Sequence, residues 1–177
     1  MKYILSVFIV ASLALFTGCS SKSDKAASEP GQSEAANDKR VMTNTYCNEK
    51  YKFCITFPEG AFTPQGELEN GAGQEFVSED GKGKLRVALG NRDGSITEGT
   101  DIKKAFDADS GSKNYGDISS KSFATTSYTL IGIKGTELFY QKTIVTHGVL
   151  VTAILSYENE VKDTFYPMIA PTFKSFK

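Results

Sequence analysis

Few groups in this chain of 177 residues could do chemistry: it has a single histidine and three cysteines. His147 stands between Thr146 and Gly148, a setting that predicts an exposed hairpin tip rather than an oriented general base. No Gly-x-Ser-x-Gly elbow, phosphate-binding glycine loop or His-Glu-x-x-His pair occurs. Asp107-x-Asp109-x-Gly111, with Asp117 beyond it, has part of the spacing of an oxygen-ligand calcium loop. Its glycine falls one place early and no bidentate glutamate closes it, so solvated carboxylates at a helix end are expected. An enzyme would need Asp101, Asp107 and Asp117 to converge on one cleft. Zinc would have to be built on His147 and on Cys47 and Cys54, a pair expected to be oxidised, and is discounted. The expectation is therefore no catalytic residue, no metal and no cofactor. Phe139, Tyr140, Tyr157, Phe165 and Tyr166 could line a ligand cleft, although aromatics on sheet and helix faces mostly serve as core.

The remaining chemical group is Cys19. Lys2 gives the N-terminus a positive charge, Ile4 to Phe16 is an apolar run with nothing more polar than serine, and Thr17-Gly18 places small residues before the cysteine. The run is shorter than the roughly 20 residues needed to span a bilayer, so it reads as a cleaved signal peptide, residues 1–18. A cysteine at the expected cut resembles the lipobox of bacterial lipoproteins. That resemblance implies a diacylated Cys19 as the first mature residue, attached to the membrane by its acyl chains, each buried CH2 contributing about 0.8 kcal/mol. Ser20, rather than aspartate, follows the cysteine; by the same resemblance this implies the outer membrane, facing the periplasm, in a two-membrane envelope.

With Cys19 assigned to lipid, Cys47 and Cys54 form an even remainder in an exported chain and are expected to be disulfide-bonded. A redox-active pair would have the Cys-x-x-Cys spacing, which these lack. Twenty basic and twenty-one acidic residues leave a net charge of -1, which gives no electrostatic attraction for nucleic acid. Ser20 to Arg40 contains no aromatic residue and no aliphatic larger than alanine. Such a segment cannot offset its ordering entropy and is expected to be a flexible tether, spanning about 25 Å as a random coil.

From residue 41 the chain changes to short alternating runs, expected to form one globular domain over 41–177. Thr43 to Cys47 and Tyr51 to Phe57 predict a hairpin with Tyr51, Phe53, Ile55 and Phe57 on its buried face, its turn at Asn48-Glu49-Lys50 widened or bulged so that the cysteines can meet. Gln74 to Ser78 and Lys84 to Gly90 predict a second hairpin, with Leu85, Val87 and Leu89 buried. Asp101 to Asp109 predicts a helix through Ile102, Ala105 and Phe106, capped by Thr100 and stopped by Gly111. Ser119 to Phe123, Tyr128 to Ile133, Glu137 to Val145 and Val149 to Tyr157 predict four further strands. The last is apolar on both faces and so should be central, with cover on each side. Val161 to Phe173 predicts a terminal helix, with Asn159 as its cap, kinked or split by Pro167 and Pro171. The fold class expected is α+β, a mostly antiparallel sheet sandwiched between helices.

Tyr46, Asn48 and Tyr51-Lys52-Phe53-Cys54-Ile55-Thr56-Phe57-Pro58 resemble the opening of the PsbP-like superfamily, an aromatic, one residue, asparagine, then Gly-Phe-x-Ile-x-Tyr-Pro. The hairpin from Gly135 to Tyr157 and the ending Phe173-Lys174-Ser175-Phe176 are similar to that family's close. Lys52 stands where the family often has glycine, and the cysteine pair is not a general family feature. The resemblance implies an antiparallel sheet between helices. It also implies breadth of function: an extrinsic subunit of photosystem II, a nuclear factor that binds the Ran GTPase, type VI secretion effector chaperones and DcrB-type envelope lipoproteins. These bind proteins and share no catalytic motif, so no functional residue carries across.

The expected function is that of a lipid-anchored envelope protein acting as a non-catalytic binding or assembly module for another envelope protein. The alternatives are a carrier of a small hydrophobic ligand held between sheet and terminal helix, or an immunity- or chaperone-type adaptor.

Overall fold

The computed structural model describes residues 42–96 and 100–177. The expected signal peptide, Cys19 and the expected tether lie outside these residues. In chain order the described elements are β1 (Thr43–Asn48), β2 (Phe53–Pro58), β3 (Thr63–Glu67), β4 (Gly73–Val77), β5 (Gly83–Leu89) and α1 (Ile102–Gly111). They continue with β6 (Asp117–Ala124), β7 (Ser127–Lys134), β8 (Glu137–Thr146), β9 (Val149–Glu158) and α2 (Lys162–Ser175). β1 and β2 pair only with each other, and the rest form a seven-stranded antiparallel sheet in the order β3-β4-β5-β9-β8-β7-β6.

β9 is the middle strand, as its two apolar faces require. Val151, Ala153, Leu155 and Tyr157 join a core with β2, Phe76 of β4, Leu85 and Val87 of β5, and Phe165 and Phe173 of α2. Leu150 on the opposite face joins a second core with Tyr128, Leu130, Phe139 and the α1 residues Ile102 and Ala105. The expected sheet between helices is thus met in part. α2 shares its layer with the β1–β2 hairpin, and α1 packs on β6 and β7.

The first hairpin is stapled as expected. Cys47 lies directly opposite Cys54, their Cα atoms 4.2 Å apart and the sulfurs bonded. As the pairing of the cysteines requires, the turn is wider than three residues and takes in Tyr51 and Lys52, with Lys52 at φ 57°. Buried Asn48 holds it: its Oδ1 accepts from the Tyr51 main chain at 3.0 Å and its Nδ2 donates to the Gly71 carbonyl at 2.9 Å. The outer edge of β2 is taken by the end of the chain. The Cys54 main-chain N–H donates to the Lys177 carbonyl at 2.9 Å, and the Thr56 N–H donates to Ser175 Oγ at 2.8 Å.

Four local expectations are corrected. Asp101, not Thr100, caps α1, its carboxylate accepting from the Lys104 N–H at 2.9 Å, and Gly111 is the last helical residue rather than the stop. Asn159 belongs to a 3-10 turn, and Val161 precedes α2 with no side-chain cap. α2 is one helix with Pro167 and Pro171 inside it rather than two short pieces, and it buries Phe165, Thr172 and Phe173. β3 was not expected: Thr63-Pro64-Gln65-Gly66-Glu67 is exposed throughout, so it has no alternation to read.

Candidate functional site: an apolar cleft beside the terminal helix

The carboxylates that could have made an active site serve local ends. Asp101 caps α1, and Asp107 pairs with Lys103 one turn away on the exposed helix face at 2.6 Å. Asp117 is exposed at the start of β6. His147 forms the β8–β9 turn with Gly148, at φ 46° and 82°, and is exposed, as its neighbours imply.

Asp109 departs from the expectation of a solvated carboxylate: it is fully buried. Its Oδ2 accepts from the Tyr128 hydroxyl and from Gln141 Nε2, each at 2.6 Å, and from the Arg92 main-chain N–H at 3.1 Å. Its Oδ1 accepts from Asn91 Nδ2 at 3.0 Å. Gln141 also donates to Thr143 Oγ1 at 3.2 Å, which lies 2.8 Å from Thr152 Oγ1, and Thr152 donates to the Gly90 carbonyl at 2.7 Å. The Arg92 guanidinium sits 4.0 Å from the Phe139 ring centre and 4.8 Å from that of Tyr115. Burial pushes the Arg92 cation toward losing its proton while Asp109 opposes this; burial and then Asp109 push the Tyr128 phenol well above its ordinary value. Donors saturate the carboxylate, so this network ties α1 and the Asn91–Gly94 turn to the sheet. The sequence did carry a signal for it: Ile102, Ala105, Phe106 and Asp109 fall on one helical stripe.

The concave surface suited to binding lies on the opposite face. A cleft of about 400 Å³ opens between β7, β8, β9 and α2, floored by Ile131, Leu138, Pro167, Ile169 and Ala170. Tyr140, Tyr157 and Tyr166 line it with Lys162. Four of the five aromatics named from the sequence meet here, though Phe139 turns its ring to the other core. The fifth, Phe165, is buried in the main core, where its ring covers Gly83. The walls are fixed from behind: Tyr140 packs on Phe173 with ring centres 4.4 Å apart, and Tyr157 stacks on Phe165 at 5.5 Å. Lys142 Nζ donates to the Phe173 carbonyl at 2.8 Å and pins the end of α2. Ile131 and Tyr166 are exposed, and no carboxylate lines the cleft. A larger concavity of about 520 Å³ on the other side of α2 is rimmed by Glu59, Glu79 and Asp80, which disfavour an apolar occupant.

A sheet of this order with a helix-and-hairpin layer on one face and a helix on the other is an α+β domain with a PsbP-like fold. The solution structure of cyanobacterial PsbP (CyanoP) from Synechocystis sp. PCC 6803 is similar to it, with a TM-score of 0.50 and 17% sequence identity over 82% of this chain and 98% of that one. That likeness is one of fold. No protein-family model and no curated protein matches the chain. The residues that carry the sequence resemblance prove structural: Tyr46 packs on Phe53 and Phe76, Asn48 holds the turn, and Phe53, Ile55 and Phe57 are core.

Proposed function

We propose that this is a lipid-anchored envelope protein, held through Cys19 and related to DcrB-type lipoproteins, whose folded domain is a non-catalytic binding module. The resemblance of Thr17-Gly18-Cys19 to a lipobox and Ser20 after it support attachment at the outer membrane facing the periplasm. The observation that carries the binding reading is the cleft between β7–β9 and α2, concave, apolar and backed by packed aromatics. Its volume falls in the range of small-molecule sites, roughly 300–1,000 Å³, which favours the carrier of a small hydrophobic ligand over the protein adaptor expected from the sequence. A protein partner is the second reading, favoured by the exposed Tyr166 and Ile131 at the cleft mouth.

Native mass spectrometry of the chain extracted from envelopes tests the site. A bound small molecule that is lost in Ala170→Phe supports it; a protein of ligand-free mass that takes up no apolar probe overturns it. The mass of the mature N-terminus, with Cys19→Ala as control, tests the anchor separately.

A further inference from the structure

We propose that the cleft beside α2 selects an amphiphile with a carboxylate head and a single aliphatic tail, that is, a long-chain fatty acid. This rests on the cleft being the binding site and adds the chemistry of its occupant. Tyr157 lines the cleft, is more than nine-tenths buried and makes no side-chain hydrogen bond among the described residues. Burial and then the neighbouring Tyr166 phenol push the Tyr157 phenol above its ordinary value, which keeps it a hydrogen-bond donor. Tyr166 too makes no hydrogen bond among the described residues.

Lys162 completes the group. Its ammonium lies 5.7 Å from the Tyr166 ring centre and forms no ion pair among the described residues. Of the nearby acids, Glu160 is engaged by Lys82, Glu158 lies beside that same lysine, and Asp163 does not line the cleft. Two phenols and an ammonium with no ion pair among the described residues thus line one apolar trough. A carboxylate would accept from all three while its tail lies on Ile131, Leu138 and Ile169, out of water. A cationic head would meet Lys162, and an uncharged one would leave the ammonium unused.

Titration calorimetry of the Cys19→Ala chain, which lacks the acyl anchor, with dodecanoate, dodecyltrimethylammonium and 1-dodecanol, and its sedimentation with phosphatidylglycerol vesicles, tests this. One dodecanoate per chain is expected, bound at least tenfold more tightly than the other two. Lys162→Ala should weaken it about tenfold, the low end for a hydrogen bond to a charged group. Tyr157→Phe should weaken it a few-fold without change in Tm, and Ala170→Phe, at an exposed position, should abolish it. If the three probes bind alike and Lys162→Ala changes nothing, carboxylate selection is overturned while the apolar cleft stands. If no probe binds, both readings fall. Binding to anionic vesicles alone, abolished by salt, overturns the proposal in favour of a surface contact.

Discussion

Asp107 and Asp109 belong to one short run of sequence and meet opposite fates, so replacing each by asparagine separates a buried clasp from a solvated charge. In Asp109→Asn the amide keeps the shape but has one acceptor oxygen. Turned to serve Tyr128 and Gln141, it points its NH2 at the Asn91 donor; turned the other way, it strands both of the 2.6 Å donors. The better choice leaves one buried donor unpaired, at about 1–3 kcal/mol, and reduces the remaining charge-assisted bonds to neutral ones. The Arg92 cation also loses the charge it faces. The expected loss is about 3–5 kcal/mol, the scale for removing one member of a buried charged network. With a urea slope of about 1–3 kcal/mol/M, the unfolding midpoint should fall by roughly 2 M. Asp107→Asn breaks only an exposed pair to Lys103 and should cost about 0.5 kcal/mol or less. Urea titrations followed by far-UV circular dichroism and tyrosine fluorescence, in a chain without tryptophan, measure both. A loss under 1 kcal/mol for Asp109→Asn, or equal losses for the two variants, would refute the clasp.

Other perturbations give distinct outcomes. Cys47→Ala with Cys54→Ala should cost about 2 kcal/mol, the chain-entropy value for so short a loop, and lower Tm by several degrees in calorimetry. Gly83→Ala places a methyl group inside the Phe165 ring, and about 1–3 kcal/mol of overpacking should appear, with looser α2 amides in hydrogen exchange. The Asp93 carboxyl is drawn down to about 2, chiefly by the Ser95 hydroxyl and then by Tyr115, so the stability it lends is full above the ordinary 3.8 and drains as pH falls toward 2. Carboxyl-carbon NMR should show that low titration and its rise in Ser95→Ala; an unchanged midpoint would remove Ser95 as the cause.

Elements whose burial shows as periodicity were legible in the sequence. The two apolar faces of Val149 to Tyr157 placed β9 at the sheet centre, and alternating Phe53, Ile55 and Phe57 gave the stapled hairpin its inner face. Where burial leaves no period, reading failed: β3 is exposed throughout, and Asn91-Arg92-Asp93-Gly94 has the composition of an ordinary turn. That turn nevertheless buries Asn91 against Asp109, a contact between residues 18 apart that only the fold brings together. Prolines mislead for a related reason. Pro167 and Pro171 each remove a helical N–H, but the helix-breaking cost is local, whereas Phe165 and Phe173 hold α2 to the core on either side of them.

The aromatics of the cleft were nameable in advance, but the cleft itself follows from a shortage of cover. Seven strands at a spacing of roughly 4.8 Å make a sheet about 30 Å wide. One helix with its side chains covers about 10 Å, and a two-stranded hairpin covers about as much again. α2 lies on β2 and β9, and the hairpin core reaches β4 and β5, so the outer part of that face, at β7, goes uncovered. Ile131 is exposed there, next to the flank of α2 that carries Tyr166. The cleft is the step between covered and uncovered sheet, and its depth is set by how firmly α2 is held. That hold comes from Lys142 at the Phe173 carbonyl and from Ser175 and Lys177 along β2. If the cleft is the binding site, opening the Cys47–Cys54 staple should therefore weaken its occupancy, which a titration of the Cys47→Ala, Cys54→Ala chain with dodecanoate measures.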